Sequence, residues 1–274
     1  MMQNILALLN RVETARPVLV AAELVARRLG LARINVLHVR PKIDPTFLPS
    51  EEVMTKERER QFNEATEARS AALRDVFDNW RAANGSGLSA GWHEVAGETR
   101  AMVASESRAA DLSVVGWSPP RHPEDAAEAI SAALFDAGAS ILLVPETVPV
   151  TIGQHPAIAW KSNPKSERAA AAARPLLLTA DRITVLIGRE SGDTEPTTGS
   201  LLHLIADKGH AVAVHDFDPA GRDIGQALLA EARAAGADLL VMGAYSHSRA
   251  YEWILGGATR GVLHHADLPV FMRY

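Results

Sequence analysis

The sequence predicts an α/β protein made of two doubly wound parallel sheets in tandem. Three observations carry that prediction: strands that are apolar throughout, helical patterns that alternate with them, and a long-range repeat. Asp238-Leu239-Leu240-Val241-Met242 is continuously apolar after its first residue, as a strand covered on both faces of a parallel sheet must be. Strand and helix patterns alternate along the chain, which marks βαβ units. The repeat aligns Asp111-Leu112-Ser113-Val114-Val115-Gly116 with Asp238-Leu239-Leu240-Val241-Met242-Gly243, an offset of 238 − 111 = 127. The same offset carries Ile141–Val144 onto Leu268–Phe271 without a gap, whereas Ile34–Val39 matches Ile183–Gly188 at 183 − 34 = 149. The first copy should therefore hold 149 − 127 = 22 extra residues between its second and fourth strands. Self-similarity on this scale means a duplicated domain. The halves are expected at 1–148 and 153–274, joined by the Pro- and Thr-rich linker Pro145–Gln154.

Each element has a local reason. Ile5–Leu9 reads as a strand, and Arg16–Leu29 as an amphipathic helix closed by Gly30. Ile34–Val39 is the second strand, ended by Pro41. The surplus of the first copy is expected as one long helix, with Ser50 as N-cap, Glu51 and Glu52 complementing the dipole, and Asn84-Gly85 as its stop. Phe62, Leu73, Val76, Phe77 and Trp80 supply its apolar stripe. His93–Val95, Leu112–Val115 and Ile141–Val144 complete the first set of strands. The second set is Ala157–Trp160, Ile183–Ile187, Ala211–Val214, Leu239–Met242 and Val270–Met272. Helices are expected near Ser166–Leu178, Thr198–Lys208 and Ile224–Ala235, the last two closed by Gly209 and Gly236.

Composition narrows the function. A length of 274 residues suits two domains, and 47% apolar residues suffice for real cores. A net charge of −5 with scattered Lys and Arg lacks the basic stripe that duplex binding needs, and 5% aromatics lack a stacking platform. No nucleic-acid partner is expected. Cysteine is absent, which removes disulfides, thiolate nucleophiles and Cys-based zinc sites. No apolar run is long enough to span a membrane and the start lacks a signal-peptide pattern, so a cytoplasmic protein with no membrane partner is expected.

The last forty residues hold the candidate site. A buried strand ends in Gly243, a polar loop follows, and Gly256-Gly257 opens a helix. Such a turn presents backbone N–H groups and a helix dipole to an anion. The spacing Gly243-x2-Ser246-x9-Gly256-Gly257 resembles the universal stress protein family, whose nucleotide loop reads G-x2-G-x9-G-(S/T). Gly243 and Gly256 match. Ser246 replaces a glycine, Gly257 and Ala258 stand where a hydroxyl residue is expected, and Thr259 comes late. The family's acidic residue after the first strand is replaced by Lys161 or Ser162.

The resemblance implies two adenine nucleotide α hydrolase-like, Rossmann-like domains. It also implies a non-enzymatic stress-response or regulatory role, with ATP or another adenine nucleotide bound in the second half. The base would lie against Ala159, Trp160 and Lys161. The phosphates would meet the amides of Gly243, Gly256, Gly257 and Ala258, with Ser246, Ser248 and Arg249 adding hydroxyl and guanidinium contacts. The two closing strands are expected side by side across an internal pseudo-twofold, and further pairing into a homodimer is expected as well. A different class of reading is a ligand-free scaffold, in which Gly243 merely frees a tight exit from the strand and Gly256-Gly257 close helix packing.

Shifting the loop by 127 puts Gly116, Pro119, Ala129 and Ile130 at the first copy's equivalents, so that half is expected to bind no nucleotide in the family manner. His264 and His265 are adjacent on a helix and cannot face one ion together, and no metal site is expected. His215-Asp216 is expected to end a strand, leaving Asp216 and Asp218 in a solvated loop. No G-x-S-x-G elbow, H-E-x-x-H or Walker lysine is present, so no catalytic residue is assigned.

Overall fold

The computed structural model describes residues 2–31, 33–42, 55–83, 88–118, 123–147, 150–189, 197–205, 209, 211–244 and 257–274. The first half contains β1 Ile5–Leu8, α1 Val12–Arg28, β2 Arg33–Pro41, α2 Lys56–Ala83, β3 Ser89–Gly97, α3 Thr99–Arg108, β4 Leu112–Gly116, α4 Pro123–Ser131, a π-helical turn Ala132–Asp136, and β5 Ile141–Val144. The second contains β6 Pro156–Ala159, α5 Pro164–Leu177, β7 Arg182–Gly188, α6 Gly199–Ile205, β8 Ala211–Phe217, α7 Ile224–Ala234, β9 Leu239–Gly243, α8 Gly257–His265 and β10 Val270–Arg273.

The strands form one ten-stranded sheet, β3-β2-β1-β4-β5-β10-β9-β6-β7-β8. Each half has the doubly wound order 3-2-1-4-5. The halves meet where β5 and β10 pair antiparallel; every other pairing is parallel. The closing strands therefore do lie side by side. Leu142 pairs with Phe271, flanked by Ile141–Met272 and Leu143–Val270.

That register corrects the repeat. Ser113 pairs with Ile141 and Leu240 with Val270, so while β4 and β9 differ by 240 − 113 = 127, the closing strands differ by 270 − 141 = 129. Leu142 is thus the counterpart of Phe271, and the pseudo-twofold passes through that pair. The ungapped alignment failed because Ile-Leu-Leu-Val matches any apolar run after a small shift. The surplus is also more local. Ile34 pairs with Ala90 and Ile183 with Val212, so β3 and β8 differ by 212 − 90 = 122. The first copy gains 149 − 122 = 27 residues between β2 and β3 and is 127 − 122 = 5 shorter before β4.

Helices cover both faces. Val18, Leu73, Phe77, Ala170, Leu176 and Leu201 bring α1, α2, α5 and α6 to one face. Val103, Ile130, Leu229 and Val262 bring α3, α4, α7 and α8 to the other. Both clusters contain residues of the two halves, so the cores are shared. The expected stripe of α2 is real in Leu73, Phe77 and Trp80, while Phe62 and Val76 are half-buried. The described helix starts at Lys56, where the Thr55 hydroxyl accepts from the Arg58 N–H at 3.2 Å; Ser50 and Asn84-Gly85 lie outside the described residues. Strand β3 runs well beyond His93–Val95 because all nine residues of β2 pair with it. Strand β8 continues through Asp216, which pairs with Arg189 instead of standing in a loop. Asp218 caps the next turn, accepting from the Ala220 N–H at 2.8 Å.

Two buried histidines tie stability to pH. His38 donates from Nδ1 to the Leu9 carbonyl at 2.8 Å, and its Nε2 has no partner. His155 lies between Gly236 and Thr184. Burial pushes both pKa values below the ordinary histidine value of 6.5, for His38 against the Leu9 bond and Glu94, for His155 with help from Arg182. The folded chain thus binds fewer protons than the unfolded chain below that value. Stability is expected to be full above about pH 6.5 and to fall as the pH drops from there toward the folded values. Urea unfolding at pH 7.5 and pH 5.5 checks this: equal midpoints would refute it, and His155→Gln should reduce the difference.

Candidate functional site

The site is built at the carboxyl ends of β6 and β9. Ala159 closes β6 and is half-buried. Trp160 is only 4% exposed; its indole joins the core under α6 and donates to the Thr197 carbonyl at 3.1 Å. It is therefore a packing residue that offers an edge ligand its main chain, not its ring. Lys161 is exposed, and Ser162 donates its hydroxyl to the Thr197 carbonyl at 2.9 Å. Asn163 then caps α5, its Oδ1 accepting from the Lys165 and Ser166 amides at 3.0 Å each, with Pro164 in the first turn. This cap is readable as an Asn-Pro helix start, yet the expected start at Ser166 missed it. Those two amides are spoken for and do not face a ligand.

Gly243 ends β9, and a Cβ there would sit 2.8 Å from the Lys165 carbonyl carbon and 2.9 Å from its oxygen. Gly116, its counterpart, has Thr14 Cβ and Oγ1 at 2.4 Å from the same imagined atom. Both glycines thus let the helix after the half's first strand approach the sheet. Because both halves keep a glycine here for this reason, Gly243 alone says nothing about a ligand. Gly257 opens α8 with open space in front of its Cβ, Ala258 is half-buried, and Thr259 is fully buried in the helix. Ser246, Ser248, Arg249 and Gly256 lie outside the described residues, as do Tyr251 and Trp253.

The charge near this edge is positive. Arg273 sits beside Gly243 in the β10–β9 register and reaches the Ser140 hydroxyl at 3.4 Å. Its pKa is lowered by burial first and by the neighbouring Arg168 second. Among the described residues neither Arg168 nor Arg273 makes an ion pair. The Lys165 ammonium lies 5.1 Å from the centre of the Tyr274 ring. A half-buried guanidinium such as that of Arg273, with no ion-pair partner among the described residues, favours an anion nearby.

The first half differs at each step. Ala129 and Ile130, placed opposite the glycine pair by the 127 shift, are buried inside α4, which has already begun at Pro123. Trp117, directly after β4, is buried and donates its indole N–H to the Leu263 carbonyl of α8, so the exit of β4 is packed against the other half. Pro119 lies outside the described residues.

Together these features define a class: a tandem doubly wound α/β protein whose two halves share one ten-stranded sheet. Residues 126–272, or 272 − 126 + 1 = 147 of 274, match the model of the universal stress protein family. The chain belongs to that family, which places it among stress-response proteins. A universal stress protein from Archaeoglobus fulgidus DSM 4304 superposes with a TM-score of 0.69 at 16% identity, covering 98% of this chain and 95% of that one. A putative universal stress protein from Pseudomonas aeruginosa UCBPP-PA14 gives 0.58 at 14% identity, with 99% and 93% covered. These similarities speak to the fold, and across the whole tandem chain. No curated protein matches. Among the described residues no helix is long and apolar enough to cross a membrane.

Proposed function

We propose that the protein is a non-enzymatic stress-response regulator whose second half binds ATP or another adenine nucleotide. The observation that carries this reading is the half-buried Arg273 in register beside Gly243, which has no ion-pair partner among the described residues and feels Arg168, at the edge where the sequence sets its glycine loop. Phosphate would meet that positive edge and the loop amides from Gly243 to Gly257, with the base near the main chain of Ala159–Lys161. Ser246 stands where the family's loop has glycine, and serine in place of glycine at a positive φ costs about 1 kcal/mol. The rival reading is a ligand-free scaffold, favoured by the packing role that Gly243 shares with Gly116.

Calorimetric titration with ATP separates the two. Saturable heat is expected, about fivefold stronger binding in Ser246→Gly for a 1 kcal/mol gain, and weaker binding in Arg273→Gln. Absence of heat at millimolar ATP, together with no thermal shift, would leave the scaffold.

A further inference from the structure

One internal difference between the two copies lies at the amino ends of the strands, at the opposite end of the sheet from the loop edge. In the second half the His155 imidazole lies between β6, β7 and the end of α7. Its Nδ1–H donates to the Gly236 carbonyl at 3.1 Å and its Nε2 accepts from the Thr184 hydroxyl at 2.8 Å, leaving the residue 7% exposed. The strand registers and the β4–β9 offset assign the first-half counterparts: 155 − 151 gives Asn4, 184 − 149 gives Asn35 and 236 − 127 gives Ala109. The main chains agree, since Asp111 accepts from the Asn4 N–H as Asp238 does from that of His155. The side chains do not. Where the second half holds an imidazole, the first holds a cavity of about 330 Å³, lined by Asn4, Arg33, Asn35, Gly91, His93 and Glu106 over a floor of Leu6 and Leu37.

Gly91 stands beside Asn35 in register, with nothing within 4 Å of where its Cβ would be. Among the described residues the side-chain amides of Asn4 and Asn35 make no hydrogen bond. A volume of this size falls at the lower end of small-molecule sites, about 300–1,000 Å³. Two free amides offer donors and acceptors at the edge of a ring, and two leucines offer an apolar surface to its face.

We propose that this groove binds a small neutral nitrogen heteroaromatic, seated where the second half seats its own imidazole. The duplication supplies the argument: one copy carries the ring covalently, and the other keeps the backbone frame, the apolar floor and the polar edge without it. The site is independent of the nucleotide edge and of the reading given to it.

The test is titration of 4-methylimidazole, the histidine ring itself, into the ¹⁵N-labelled full chain at a pH where the free ring is neutral. Saturable shifts at the amides of Asn4, Asn35, Gly91 and Ala110 with millimolar affinity are expected. Asn4→His should weaken binding at least tenfold by filling the groove from within, and Gly91→Leu does the same by another route should Asn4→His not fold. His155→Asn should open a second site and regain thermal stability on adding the ring. No saturable shift at those amides up to tens of millimolar, or binding in the filling variants as tight as in the parent, overturns the proposal.

Discussion

Replacing Phe271 with alanine is expected to lower the unfolding free energy by about 3–5 kcal/mol, the range for truncating a fully buried aromatic. Phe271 is fully buried and lies on the pseudo-twofold opposite Leu142, in a cluster fed by both halves. A cavity there loosens the antiparallel β5–β10 seam, whose three residue pairs are the backbone join between the two halves of the sheet. Leu142→Ala should cost about 2–5 kcal/mol. Because the two side chains are cross-strand partners, the double variant should lose less than the sum. Urea unfolding measures all three, with Val214→Ala as control: that residue is 49% exposed on the edge strand β8 and should stay within about 0.5 kcal/mol of the parent. A loss below about 1 kcal/mol in Phe271→Ala would show that the seam does not hold the halves together.

The reason the seam was legible in the sequence, while its register was not, is physical. Continuous apolar strands and a duplicated Asp-Leu-x-Val motif announce two parallel sheets, and a symmetric interface within one chain follows from duplication. A run such as Ile-Leu-Leu-Val, however, has no polar residue to pin it, so a two-residue slip leaves the pattern intact; only the pairing of Val270 with Leu240 removes it. The site shows the same division. Gly243 was readable as a tight exit from a strand, but that α5 presses on it is a tertiary fact. The Arg168–Arg273 pair joins a helix to a strand more than a hundred residues away, and no spacing rule reaches that far. His155 gave no signal either, since its meaning lies in what its counterpart lacks.

The duplicated aspartates are the second place where a single substitution should tell. Each ends the approach to a fourth strand and holds the chain entering a first strand through backbone N–H groups. Asp238 accepts from Gly153, Gln154 and His155 at 3.0, 2.9 and 3.0 Å; Asp111 accepts from Gln3 and Asn4 at 2.7 and 2.9 Å. A hydrogen bond to a charged group is worth about 1.5–3 kcal/mol, and a buried donor left unpaired adds its desolvation cost. Gly153 and His155 are buried and Asp238 is half-buried, whereas Gln3, Asn4 and Asp111 are exposed, so water can replace the lost acceptor only in the first half. Asp238→Ala is therefore expected to cost about 3 kcal/mol and Asp111→Ala about 1 kcal/mol. Asp238 also holds the His155 pKa up, so Asp238→Ala should steepen the fall in stability below pH 6.5 while Asp111→Ala leaves it unchanged. Chemical denaturation of the two variants at both pH values decides it: equal costs, or the larger cost at Asp111, would mean that burial around the clamp does not set its strength.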